Sequence, residues 1–365
     1  MAQQTTKTAL ISGATGSTGY YLAQHLLKCG DWEVHTVSRR KLDGISGGDK
    51  LKEHHVDLLQ GSEQLTQALK ETGGSITHVY HCAYLTTGDA VKDCDINLKM
   101  FKALVEGGEA AGCKLQHVYC MEGTKWYGVH FRPGGIDNLK TPHKEDDPRH
   151  MPPNFYYDLE DYMKERVSGG ASWSWSALRP NPVCGFSTGS FMNLVVSLGV
   201  YAAICKELGC AFSFPGSSAG YHVLTEVCDA DLLAKAMVHL STQPQCANQA
   251  FNISNGDVFR WCQVWPHIAE FFGLPVAEPM HLSLTDVMKD KGPVWDSIVK
   301  KHNLEAAPYD QLATWPFLDV VFSQQTDFFS DVNKLRRTGF QDMSIDSTEM
   351  FLELLAHLRE IRIIP

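Results

Sequence analysis

The tyrosines of "NFYYDLEDYMKE", residues 154–165, are groups whose type and setting could do chemistry. A tyrosine hydroxyl stabilises negative charge developing on a carbonyl oxygen when a nearby cation brings its pKa towards neutrality. A lysine four residues further on would lie about one helical turn away and supply that charge. Here Glu160 stands four residues after Tyr156 and Asp161 four after Tyr157, and the nearest lysine on the segment, Lys164, is eight and seven residues away. Either the chemistry has been lost or the cation comes from another element.

A second constellation is "SGATGSTG", with glycines at 13, 16 and 19. Glycine permits a tight turn and lets backbone amides approach a pyrophosphate at the positive end of a helix. Gly13, Thr15, Gly16, Ser17, Thr18 and Gly19 are therefore candidate dinucleotide contacts. An acid at the end of the next strand would bind the ribose 2′-hydroxyl and repel a 2′-phosphate. This chain has Ser38, Arg39 and Arg40 there instead, and two guanidiniums suit a phosphate dianion, so the expected cofactor is NADPH/NADP+.

The elements that must hold these groups follow from hydrophobic spacing. Residues 7–12 form a short apolar run that stops at Gly13, as a buried parallel strand does. "TGYYLAQHLLKCG" has helical spacing through Leu22 and Leu26 and stops at Gly30. "WEVHTVSRR", "LKEHHVDLL", "SITHVYHCAYL" and "CKLQHVYCMEG" read as strands two to five, with a helix over 97–111. This alternation predicts an α/β fold, a Rossmann-type doubly wound parallel sheet. "SWSALRPNPVCGFS" reads as the sixth strand and its exit loop. Helices over 191–208, 226–239 and 262–272 and a strand at "AFNISN" then give a smaller, mainly helical lobe. The expected organisation is a dinucleotide-binding domain over 1–180, completed in part by later strands, and a substrate-binding lobe over 181–365.

Composition narrows the class of function. The chain has 365 residues, 44% hydrophobic and 20% charged, which describes an ordinary globular protein. A net charge of −10 argues against nucleic acid as a partner. Eleven cysteines without paired C-x-x-C spacing read as free thiols in a reducing compartment. The apolar run "MNLVVSLGVYAAIC" is short of the roughly 20 residues a membrane span needs, so a buried helix is expected, with no membrane partner. With a polar start from Met1 to Lys7, the expected location is cytoplasmic; a homodimer stays open.

Lys125, in "GTKWYG" at the end of the fifth predicted strand, projects from the carboxyl edge of the sheet. Asn154, after Pro152 and Pro153, is a good N-cap for the tyrosine helix. Together "GTKWYG", "NFYYDLED", "SGATGSTG", "SRR", "RPNPVCGFS" and "FNISNGDVF" resemble the progesterone 5β-reductase/iridoid synthase-like enzymes, an atypical branch of the extended short-chain dehydrogenases. The likeness runs through nearly the whole chain. It implies that Lys125 takes the place of the missing lysine and that Tyr156, directly after Phe155, is the acting tyrosine. Consecutive helical residues point about 100° apart, so only one of Tyr156 and Tyr157 can face the cofactor.

The resemblance also implies that Asp57 and Leu58 hold the adenine edge, that Cys82 and Val183 lie along the cofactor, and that Tyr84 and Phe131 meet the substrate. The activity it implies is 1,4-reduction of an enone or enal. The residues alone admit 1,2-reduction of a carbonyl equally, and a non-redox NADP-bound isomerase or cyclase, or an NADP-sensing regulator, stays open. Departures from the family pattern surround the expected substrate pocket: His130 replaces a proline, Tyr84 a tryptophan, and Pro180-Asn181-Pro182 a proline-glycine-asparagine run.

Other constellations read as structural. No cluster among the 16 histidines has metal-ligand spacing: His54 and His55 are neighbours, and His78 and His81 would face opposite sides of a strand. No metal is expected. "GSTGY" and "TGSFM" lack the G-x-S-x-G elbow of a serine hydrolase. Cys120 reads as a buried thiol, and Trp261, Trp265, Phe271 and Phe272 as a packing face. The helices over 191–208 and 282–300 are expected to line the substrate entrance.

Overall fold

The computed structural model describes residues 7–71, 75–129, 140–186, 192–305 and 308–365. Its centre is a seven-stranded sheet. The strands in chain order are β1 (Lys7–Ser12), β2 (Trp32–Ser38), β3 (Leu51–His55), β4 (His78–His81), β5 (His117–Met121), β6 (Ser174–Pro180) and a last one, Gln249–Ile253. Across the sheet they lie as β3, β2, β1, β4, β5, β6 and Gln249–Ile253, all parallel. The order reverses between β1 and β4, which opens a crevice at the carboxyl ends of those strands.

Both faces are covered, so the strands are buried on both sides. Ala9, Ile11, Val34, Tyr80, Tyr119 and Leu178 face one core, packed with Leu22 and Leu26 of α1 (Ser17–Cys29) and with helix Ala230–Thr242. Leu10, Val37, Val79, Val118 and Ala177 face the other, against α2 (Glu63–Glu71), α3 (Ala90–Ala110) and α4 (Phe155–Ser168). His78 stacks on Tyr80 and His81 lies tilted against Phe101, so these two histidines do lie on opposite faces.

α1 ends at Gly30, whose φ of +81° gives the left-handed cap expected of it. α3 starts at Ala90, seven residues before the spacing suggested, because Asp89 accepts from the amides of Val91 and Lys92 and caps it there. α5 (Leu194–Leu208) is buried along most of its length, as its continuous apolar run predicted. Among the described residues no helix is long and apolar enough to cross a membrane.

The lobe has its own core, in which Trp265 stacks on Phe212 with ring centroids 4.5 Å apart. Trp261, Trp265 and Phe272 are buried there and Phe271 packs against its edge, a packing face as expected. The helix expected over 282–300 is two pieces, Leu284–Val287 and Gly292–His302. Proline cannot sit in a helix interior without cost, and Pro293 stands in the first turn of the second piece instead.

Buried titratable groups set how stability depends on pH. Burial holds His54 and His78 down to about 4 and His81 and His117 down to about 3. The unfolded chain takes up a proton at each of them below about pH 6.5, and the fold does not. Burial pushes Glu122 up to about 7 and Glu226 up to about 8, so the fold keeps two protons that unfolding releases above about pH 4.5. Below about pH 6 the four imidazoles outweigh the two carboxyls and stability falls with pH; above about pH 7 the carboxyls dominate and it falls as pH rises. The thermal midpoint is expected to peak between about pH 6 and 7. A midpoint that climbs steadily from about pH 6.5 to 8 in a buffer series would contradict this balance.

Candidate active site

The crevice holds a cavity of about 630 Å³. At one end the turn after β1 brings Gly13, Thr15, Gly16, Ser17 and Thr18 onto its wall. Gly13 has φ +75°, and a Cβ there would lie 2.6 Å from the Ala83 nitrogen, so only glycine fits. At Gly16 a Cβ would meet only the Gly13 carbonyl oxygen, at 3.5 Å, which leaves the turn open on the cavity side. No side chain caps the first turn of α1, so its amides keep the positive helix end available to an anion. Gly19 lies one layer behind: a Cβ there would sit 2.6 Å from the Gly13 oxygen, so this glycine lets helix and turn pack closely.

Ser38, Arg39 and Arg40 line the same cavity at the end of β2, with both arginines exposed and the Ser38 hydroxyl donating to the Arg40 carbonyl. Asp57 and Leu58 follow β3 along the wall, and the Asp57 carboxylate accepts from the Leu59 amide at 3.1 Å, which shapes their turn. Cys82 and Val183 line the middle. This donor set fits a phosphorylated dinucleotide: open amides for a pyrophosphate and guanidiniums for a further phosphate.

At the other end lie Lys125 and Tyr156. Lys125 sits on a short 3₁₀ turn, Thr124–Tyr127, closed by Gly128 at φ +75°. Asn154 ties this turn to α4: its Oδ1 caps the Tyr156 amide at 3.2 Å and its Nδ2 donates to the Lys125 carbonyl at 2.8 Å. One side chain therefore sets the position of both residues.

Tyr156 faces the cavity, and a Cβ on Gly123 would lie 3.1 Å from its hydroxyl, so this glycine makes room for it. Tyr157 turns away, donating to the Trp126 carbonyl at 2.7 Å and accepting from the His150 amide at 3.0 Å. The Lys125 ammonium donates to the Tyr84 hydroxyl at 3.4 Å and lies 5.3 Å from the centre of that ring, which stacks on Phe155. Burial pushes the Tyr156 phenol well up from its ordinary value, and Tyr84, Glu122 and Cys120 add to the push. Phe131 and His130 fall outside the described residues.

Glu160, which stands where a lysine was sought, belongs to a buried ion cluster. It takes Arg149 at 2.9 Å, Lys164 at 3.2 Å and Arg179 at 3.6 Å, and these cations outweigh burial and hold it below the usual carboxylate range. Arg179, 1% exposed, donates from Nε to Glu122 at 2.7 Å and lies 3.6 Å from the centre of the Trp126 ring. Sequence reasoning missed Glu122 and Arg179, since nothing in their spacing pairs them.

Of the outer wall, the expectation for 191–208 holds at Met192 alone among the described residues. Helix Trp315–Phe322 supplies Phe317, Val320 and Val321, followed by Gln324 and Phe328, while Met192 precedes α5. Among the described residues none of 282–300 lines the cavity, and α5 is buried in the lobe core. Cys120 is fully buried, with its thiol pushed far up by burial. Among the described residues no group of three or more His, Cys, Asp or Glu side chains could hold a metal ion.

A parallel sheet in this order, with a glycine turn at one end of its crevice and a tyrosine and lysine at the other, is the arrangement of a short-chain dehydrogenase/reductase. The chain belongs to the PRISE-like Rossmann-fold family, whose model matches residues 34–365. It is 33% identical to an (S)-8-oxocitronellyl enol synthase of Nepeta racemosa, over 98% of this chain and 93% of the relative. It is 34% identical to that of Catharanthus roseus, over 98% and 92%. A short chain dehydrogenase of Penicillium aethiopicum is 30% identical over 98% of this chain and 99% of its own. UDP-glucose 4-epimerase of Thermus thermophilus, solved in complex with NAD, shares the fold at TM-score 0.65 and 15% identity, over 96% of this chain and 99% of that one.

The double role of Asn154 makes it a point of weakness. Asn154→Ala is expected to lower unfolding free energy by about 1 kcal/mol, the usual worth of an N-cap, read by urea denaturation. An unchanged midpoint would mean that the tie between α4 and the Lys125 turn lies elsewhere.

Proposed function

We propose that this protein is an NADPH-dependent reductase of activated carbon–carbon double bonds, acting on small enones or enals by 1,4-addition of hydride. The observation that carries the reading is the convergence of Lys125 and Tyr156 on the cavity that also holds the glycine turn and Arg39-Arg40. NADPH bound along that cavity would supply the hydride. Tyr156 donates from its hydroxyl to the substrate oxygen as enolate charge develops there. Lys125, at the Tyr84 hydroxyl, puts positive charge on the wall of the same cavity, and that charge would favour the negative oxygen that forms there. Phe317, Val320, Val321 and Phe328 give the substrate an apolar surface and keep water from the oxyanion. The name of the plant relatives denotes formation of an enol, and an enol or enolate oxygen is what a donor at Tyr156 would hold.

NADPH oxidation with cyclohexenone, progesterone and 8-oxogeranial, run beside saturated ketones with product analysis, tests this reading. Products saturated at the C–C bond are expected, with rates falling roughly 10²- to 10³-fold in Tyr156→Phe and Lys125→Met. Alcohol products would replace it with 1,2-reduction. Replacing Arg39 and Arg40 by serine is expected to raise KM for NADPH roughly ten- to a hundredfold and leave NADH nearly unchanged. Equal effects on both cofactors would remove the 2′-phosphate from the assignment.

A further inference from the structure

Glu122 has no part in the scheme above, yet it stands beside it. It follows β5 on the turn that carries Lys125, and Glu122, Gly123, Lys125 and Tyr156 line one cavity. A Cβ on Gly123 would lie 3.1 Å from the Tyr156 hydroxyl, so that phenol stands over the backbone next to Glu122.

The carboxyl is buried, 2% exposed, and its two oxygens are unequal. Oε2 takes Arg179 at 2.7 Å, while Oε1 has no hydrogen-bond partner among the described residues. Arg179 is shared with Glu160, which also holds Arg149 and Lys164. The remaining ionisable groups that bear on Glu122 are Tyr156 of α4 and Tyr119 and Cys120 of its own strand. Glu160 thus has three cations at hand, whereas Glu122 has the guanidinium of Arg179, with a weaker pull from Lys164 and the opposing charge of Glu160. Burial outweighs the pull of the cations and pushes the acid up to about 7, and a charge on Glu122 in turn pushes Tyr156 up.

We propose that Glu122 is a positioning residue that acts through Tyr156, resting on the reading of this cavity as a reductase site. With its proton it leaves the Tyr156 hydroxyl able to stabilise charge on the substrate oxygen; as a carboxylate it opposes that charge.

The test compares kcat/KM for one enone from about pH 6 to 9 in the wild type and in Glu122→Gln. Binding of 3,4-dinitrophenol with NADP+ present, followed by absorbance over the upper part of the range where the phenol is ionised, mimics the oxyanion without turnover. The wild type is expected to lose roughly tenfold in kcat/KM per pH unit above about 7 and to bind the phenolate more weakly as pH rises. Glu122→Gln, whose amide oxygen can still accept from Arg179, is expected to hold both quantities level. A wild-type profile without a limb between about pH 6 and 8 overturns the proposal whether or not the variant folds. The same limb in a folded Glu122→Gln overturns it too. Phenolate binding that depends on Glu122, with no enone turned over, would uphold the charge coupling and sink the reductase reading.

Discussion

The buried guanidinium of Arg179 constrains everything around the candidate site. A charge taken out of water at the end of β6 must be met on every side, and here the partners come from separate parts of the chain. Glu122 reaches it from the end of β5 and Glu160 from α4, the Trp126 ring lies under its plane, and Nη1 donates to the Tyr127 hydroxyl at 3.3 Å. Tyr127 donates in turn to Asn252 of the last strand at 2.6 Å. Removing one partner of such a cluster typically costs about 3–5 kcal/mol, because the charge left behind stays buried. The turn that presents Lys125 is thereby locked to the sheet on one side and, through Asn154, to the tyrosine helix on the other.

That lock gives the missing lysine a physical account. A cation one turn after Tyr156 would occupy the position of Glu160, which faces Arg149, Lys164 and Arg179. A lysine there would add a fourth positive charge to a buried cluster with one carboxylate fewer. The charge for the cavity enters from the neighbouring strand end instead, where Lys125 lines the same cavity as Tyr156 without joining the cluster. Tyr156 and Tyr157 are separated by the same geometry: one faces the cavity, and the other is spent on the Trp126 carbonyl and the His150 amide.

The two parts of the chain are interleaved. Residues 249–253 return to the sheet beside β6, and helix Ala230–Thr242 packs on α1 behind the glycine turn. The segment from Phe317 to Phe328 then adds a wall to the cavity that Tyr156 lines. The end with the glycine turn is built from early residues close together in sequence, whereas the end with Tyr156 needs contributions from both halves.

This division explains what could be read from the sequence and what could not. The choice of Tyr156 over Tyr157 rested on the family resemblance, whereas strand runs, the glycine turn, Arg39-Arg40, the cap at Asn154 and the position of Lys125 after the fifth strand are local features. Each is written in a few adjacent residues, because turns, caps and periodicity act over one or two helical turns of chain. The pairing of Glu122 with Arg179, the partners that hold Tyr157 and the wall from Phe317 to Phe328 were not legible. They depend on which distant segments come within hydrogen-bonding or van der Waals reach, and the sheet order decides that. By itself the sequence determined a parallel dinucleotide fold and a tyrosine in need of a cation. Only the tertiary structure decided which charges surround that tyrosine, because burial and the sharing of Arg179 between two acids exist only once the strands and α4 have packed.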